Sequence, residues 1–254
     1  MTGTKRVVAL GASNLTRGIA TIAKLACVAW GPETQLLAAL GYGRSYGSYS
    51  KVGFRVLPSI LRSGLWNTLA SMPPARTKVL ITDIGNDILY GFPFVTILAW
   101  VSEAIDRFER ITPDISITSL PLESIRQLSG FKYSVIRAAL FPGCKMPLEN
   151  LIESIGELNT GLEEIAAKRE IRLVAPNPSW YGVDPIHIRR QFWPLAWSEM
   201  LGMNISAAYH KSNFVLDRIK LSLMAPEHRW LFGVEQFTRQ SGHLLSSGAR
   251  IWLF

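Results

Sequence analysis

The sequence predicts an α/β fold with a mostly parallel central sheet. Three observations predict it. Five short runs are apolar throughout rather than alternating, as strands covered on both faces are. Segments with helical spacing separate those runs, which is the signature of βα units. The residues able to carry chemistry gather in the loops that follow the runs, where open α/β sheets place their sites.

The first run is Arg6–Leu10 (RVVAL), and a helical pattern follows over Thr16–Trp30. The second is Gln35–Leu40 (QLLAAL), after which Val52–Leu61 reads as a short helix. The third, Lys78–Thr82 (KVLIT), precedes Phe94–Arg110, apolar at first and then amphipathic through Ala104, Ile105 and Phe108. Ile115–Leu120 (ISITSL) leads into helical patterns over Ile125–Leu140 and Leu148–Lys168. The fifth run is Ile171–Ala175 (IRLVA), and Gln191–Leu201 reads as a final helix. The pattern then changes. Residues 206–254, rich in Trp and Arg, read as an extension packed on the domain of residues 1–205, with a hairpin around Ser246-Ser247-Gly248.

Composition narrows the function classes. At 254 residues and 48% hydrophobic content, the chain can bury the core of one domain with an appendage. The formal net charge is +8. A basic surface scattered over the helices accounts for it, and attraction to an acidic substrate or a phospholipid surface is the sharper alternative. Arg189-Arg190 is the nearest thing to a basic cluster, and no nucleic-acid motif accompanies it. Cys27 and Cys144 belong to no Cys/His cluster, which argues against zinc. The opening MTGTKRVVALGASN lacks the apolar core of a signal peptide, and Phe92–Val101 is too short to span a bilayer. The expectation is a soluble, cytoplasmic protein with no stable membrane insertion.

Four loops follow strand ends, and each admits two readings. In Gly11-Ala12-Ser13-Asn14-Leu15-Thr16-Arg17-Gly18, Ser13 is either a helix cap or a nucleophile in a tight turn. Gly41-Tyr42-Gly43-Arg44-Ser45-Tyr46-Gly47-Ser48 is either a flexible turn or a backbone that comes close to a ligand. In Asp83-Ile84-Gly85-Asn86-Asp87, Asn86 either caps a helix or aims its amide at a developing oxyanion. In Asp184-Pro185-Ile186-His187, Pro185 favours a turn, and His187 is either a surface side chain beside it or a base that Asp184 orients.

Taken together, in this order, the four loops resemble the SGNH (GDSL-like) hydrolase superfamily, over roughly Lys5–Leu201. The chain is identified as a divergent member. The resemblance implies a three-layer α/β/α sandwich on a flavodoxin-like parallel five-stranded sheet of order 2-1-3-4-5. It also implies ester hydrolysis without cofactor or metal. Ser13 would be the nucleophile, His187 the general base and Asp184 its orienting carboxylate. The oxyanion hole would combine the Ser13 N–H, the Asn86 side chain and a glycine N–H from the second block, Gly47 with Gly43 as the alternative. Two departures stand out: Ala12 occupies the family's Asp position before the serine, and Ile84 occupies the Gly position two before the Asn.

The expected substrate is a small-molecule ester, with acidic esters, acetylated sugars and lipids all within the family's range. Tyr42, Arg44, Tyr46, Trp180, Tyr181 and Arg189 are candidate lining residues. Three other readings compete. A Rossmann-type nucleotide site at LGASNLTRG has badly spaced glycines and no acidic residue at the second strand end. A relative with the same site would instead bind carbohydrate or lipid, or transfer acyl groups. A metal site from Asp83, Asp87, Asp184 and His187 lacks a ligand pattern.

Overall fold

The computed structural model describes residues 3–141, 143–204 and 215–254. In chain order the elements are β1 (Lys5–Leu10), α1 (Ser13–Trp30), β2 (Gln35–Ala39), β3 (Ser50–Val52), β4 (Arg55–Leu57), α2 (Leu65–Ser71) and β5 (Arg76–Ile81). Then come α3 (Asn86–Leu89), α4 (Phe94–Glu109), β6 (Ile115–Thr118), α5 (Leu122–Arg126), α6 (Gly130–Leu140), α7 (Leu148–Arg169) and β7 (Arg172–Val174). The chain closes with α8 (Trp193–Leu201), α9 (Val215–Leu223), β8 (His228–Leu231), β9 (Val234–Phe237), β10 (His243–Leu244) and β11 (Arg250–Leu253).

The five expected strands form the parallel order β2-β1-β5-β6-β7, which is the 2-1-3-4-5 order that the resemblance implies. The continuous apolar runs follow from burial on both faces. In β1, Val8 and Leu10 join the core under α2, α4 and α7, while Val7 and Ala9 join the core under α1, α8 and α9. Leu37 and Ala39 of β2, and Val79 and Ile81 of β5, face the first core; Leu36, Ala38 and Leu80 face the second. The helices meet this sheet with the matching period. Ile97, Val101, Ala104, Ile105 and Phe108 of α4 recur every three or four residues, and all are buried. Each of these but Ala104 contributes about 1.5–3 kcal/mol on burial. On the other face, Gly18 of α1 leaves no room for a Cβ against the Trp197 indole, so α1 and α8 pack closely there.

The sheet extends beyond the five expected strands. Among the described residues it has seven, because β11 pairs in parallel with β2 and β10 pairs antiparallel with β11. The expected hairpin at Ser246-Ser247-Gly248 is the turn between those two strands, with the Gly248 N–H bonded to the Leu245 carbonyl. The expected helix over Val52–Leu61 is not formed. Gly53, at φ +58°, turns the chain between β3 and β4, and β4 pairs with β8 from far along the sequence. The expected helix over Ile125–Leu140 is two helices, broken where Ser129 caps α6. Among the described residues no helix is long and apolar enough to cross a membrane.

Candidate active site

The topological switch lies at β1, because the chain leaves it for β2 on one side and later returns to β5 on the other. A crevice therefore opens at its carboxyl end, and Ser13 sits there as the first residue of α1. The helix has no side-chain cap of its own, since Ala12 precedes it. Asp83 supplies the acceptor from the next strand end. Its Oδ2 accepts the Ala12 N–H (2.8 Å) and the Leu15 N–H (3.0 Å). An anion at this helix end is favoured by the helix dipole. Asp83 holds φ +57°, a left-handed conformation that Asp tolerates better than most residues.

The DPIH loop folds as an Asx turn. Asp184 Oδ1 accepts the N–H groups of Ile186 (3.2 Å) and His187 (3.3 Å), and Oδ2 lies 2.7 Å from His187 Nδ1. The other ring nitrogen, Nε2, lies 2.9 Å from Ser13 Oγ. An Nδ1–H donated to the carboxylate leaves Nε2 as the acceptor for the serine proton. His187 is buried and Asp184 half-exposed. Partial burial pushes the Asp184 carboxyl up, but the hydrogen bonds and charge of His187, with the two N–H groups, hold it below the usual carboxylate range.

Asn14 ties the two loops together. Its Nδ2 donates to Asp83 Oδ1 (2.9 Å) and to the Ile186 carbonyl (2.8 Å). Its Oδ1 accepts the Ile188 N–H (2.9 Å). The side chain thus grips the backbone on both sides of His187. Sequence reasoning missed the roles of Asn14 and Asp83. Their partners lie 68 to 174 positions away, so no local signal marks them.

Ser13 and Asn86 face the same mainly apolar cavity of about 100 Å³, whose walls include Leu89, Leu120, Ile125, Leu151 and Tyr181. Asn86 opens α3 and donates from Nδ2 to the Arg44 carbonyl at 3.4 Å, which sets it against the Arg44–Ser45 peptide. Gly43 adopts φ +65°, and its carbonyl accepts the Tyr90 hydroxyl at 2.6 Å. Gly47, the expected glycine, abuts the Trp100 indole with no room for a Cβ, so packing accounts for it; neither Gly43 nor Gly47 is among the walls of the Ser13 cavity.

The buried carboxylate of Asp87 anchors the glycine-rich block by accepting the Tyr46 N–H at 2.9 Å. Burial pushes its pKa up to about 6, against the opposing hydrogen bonds from Ser45 and Tyr46.

The expected lining residues divide. Tyr181 lines the cavity, and Tyr42 lines a second cleft. Arg44 and Tyr46 are fully buried supports instead. Arg44 donates to the carbonyls of Leu40, Pro58 and Phe254, and the Tyr46 hydroxyl donates to the Thr82 carbonyl at 2.7 Å. Trp180 is core, and Arg189 stacks over Phe192 at 4.8 Å. Among the described residues, no group of three His, Cys, Asp or Glu side chains is arranged to hold a metal ion. Asp83 and Asp87 are committed to the backbone contacts above.

No protein-family model matches the chain, and no curated protein matches it. Solved structures do. One, described without a protein name, is 13% identical with a TM-score of 0.52, over 82% of this chain and 96% of that one. A lipolytic protein of the G-D-S-L family from Veillonella parvula is 12% identical (TM-score 0.49), over 78% of this chain and 97% of that one. The psychrotrophic esterase EstA from Pseudoalteromonas sp. is 14% identical (TM-score 0.44), over 78% and 96% of the two chains. At these identities the likeness is one of fold. The observed sheet order is the one that the resemblance of the four sequence blocks implies.

Proposed function

We propose that this chain, a divergent protein of SGNH-like fold, is a serine ester hydrolase that works through an acyl–Ser13 intermediate. The observation that carries the reading is the continuous relay Asp184–His187–Ser13, at 2.7 and 2.9 Å, ending at a cavity that Asn86 also faces. His187 Nε2 takes the Ser13 Oγ proton as Oγ attacks the ester carbonyl. The tetrahedral oxyanion accepts hydrogen bonds from the Ser13 N–H, Asn86 Nδ2 and the Gly43 N–H. Gly43 replaces Gly47 in this role because its neighbour Arg44 meets Asn86, whereas Gly47 packs on Trp100. His187 then gives its proton to the departing alcohol, and Asp184 stabilises the imidazolium in the interval. Water, deprotonated by His187, attacks the acyl-enzyme and releases the acid and Ser13. The N-terminus of α1 adds its positive end to the stabilisation of the oxyanion.

The apolar cavity suits the acyl group. An apolar cavity of about 150 Å³ holds benzene, so one of about 100 Å³ takes an acyl chain of a few carbons. In this reading residues 206–254 belong to the same domain as residues 1–205, since β11 completes the sheet beside β2.

The test is intact-mass spectrometry after treatment with a fluorophosphonate, on wild type and Ser13→Ala. The probe requires an activated serine and little substrate fit. One adduct on wild type and none on the variant is the expected result. A folded wild-type protein that takes no adduct overturns the reading.

A further inference from the structure

A second concavity, of about 500 Å³, opens on the β2 side of the switch, whereas the apolar cavity that Ser13 lines lies on the β5–β6 side. Thr16 and Arg17 of α1 line it. They stand three and four residues after Ser13, so they share its helix face one turn along. Tyr42 comes from the glycine-rich block, Arg55 from the hairpin that follows and Arg218 from α9.

The cleft is electrostatically incomplete. Three arginines line it and no Asp or Glu does. The residues outside the described portions, 1–2, 142 and 205–214, contain no Asp or Glu either. Elsewhere on the surface four arginines are ion-paired: Arg107 with Glu103, Arg126 with Glu123, Arg250 with Glu33, and Arg169 with Asp106 and Glu109. Within the cleft, Arg55 reaches only the Tyr42 carbonyl, at 3.4 Å, and Arg218 lies over the Trp193 ring at 5.4 Å. Burial and the like charge of Arg229 push the Arg55 pKa down; burial and Arg190 do the same to Arg218. Partly desolvated cations with cationic neighbours and no counter-charge attract an anion from solution.

We propose that this cleft binds the alcohol portion of the ester and that this portion carries an anion, a carboxylate or a phosphate. The assignment rests on Ser13 being the nucleophile, with the acyl group in the apolar cavity. The deep wall of the cleft (Ile19, Leu57, Leu221) would face the carbon skeleton, and Arg17, Arg55 and Arg218 the charge.

The experiment compares kcat/KM for 4-acetoxybenzoate, its neutral methyl ester and 4-acetoxyphenyl phosphate. The charged esters should be preferred by about tenfold at low salt, with the preference shrinking as salt is added. The better of the two identifies the anion. Arg17→Gln and Arg55→Gln should each cut the charged-to-neutral ratio by about threefold, and the exposed Arg17→Glu should cut it further. Equal turnover of charged and neutral esters, by protein that takes the fluorophosphonate on Ser13, overturns the cleft assignment and leaves the hydrolase reading standing. So does a preference that persists in all three variants. If Ser13 takes no adduct, millimolar NMR titration with 4-hydroxybenzoate and phenyl phosphate tests the cleft alone. Binding that Arg17→Glu abolishes supports an anion site, and absence of binding to wild type overturns it.

Discussion

Replacing Asn14 by alanine separates the positioning of His187 from the stability of the fold. The wild-type side chain makes three hydrogen bonds, to Asp83 Oδ1, the Ile186 carbonyl and the Ile188 N–H. At about 1 kcal/mol net each, their loss costs about 3 kcal/mol of stability. The chemical cost has a separate origin. The two backbone bonds flank His187, whose Nε2 must stay within hydrogen-bond reach of Ser13 Oγ, at present 2.9 Å away. A displacement of about 1 Å at such a position costs on the order of 10²-fold in rate. The assay is the second-order rate of fluorophosphonate labelling, together with kcat and KM on a short acetyl ester, and urea unfolding in parallel. Leu162→Ala serves as control: it opens the buried core under α7, away from the site, and costs about 2–5 kcal/mol. Asn14→Ala should lose about 10²-fold in labelling rate and in kcat with little change in KM, while Leu162→Ala labels at the wild-type rate. A folded Asn14→Ala protein that labels as fast as wild type would refute the clamp.

Asp184→Asn should lower kcat on the order of 10³-fold, since the imidazolium loses its counter-charge and Nδ1 its fixed acceptor; denaturant unfolding should move by less than about 1 kcal/mol, because the carboxylate is half-exposed. Asp87 has a pH signature in unfolding experiments. Its folded pKa, about 6, lies above the unfolded value, so its contribution to stability is fully present below pH ~4 and is lost as pH rises through 6. Asp87→Asn should lack that slope between pH ~4 and ~6. Asp184, held low, acts with the opposite sign, losing its contribution as pH falls below the unfolded carboxylate value. Leu151→Ala, in the wall of the apolar cavity, should move the best 4-nitrophenyl ester toward acyl chains about two carbons longer; an unmoved chain-length profile would place the acyl group elsewhere.

The sequence by itself determined the sheet and the neighbourhood of the site, because both are written locally. A strand buried on both faces favours an apolar run; β1, β2 and β5 carry VVAL, LLAA and VLI, while β6 (ISIT) buries small hydroxyl residues between its isoleucines. A loop at the carboxyl end of a strand must turn and present polar groups, which made GASN, GYGRSYG, GND and DPIH visible. Asp184 and His187 are three apart, so their contact is a property of one turn. Only the tertiary structure decided what depends on residues far apart. Gly53 and the β-branched Val52 and Val56 read equally as a short helix until β8 supplies a pairing edge for β4. Gly43 and Gly47 are indistinguishable as glycines; Trp100 of α4 occupies the space at one, and Val52 and Tyr90 crowd the other. The Asp missing before Ser13 is offset by Asp83, a residue 71 positions from the Ala12 N–H it caps. Local sequence specifies what a segment can pair with or bury, and packing selects the partner, which is why the motifs were legible and the clamp and the cationic cleft were not.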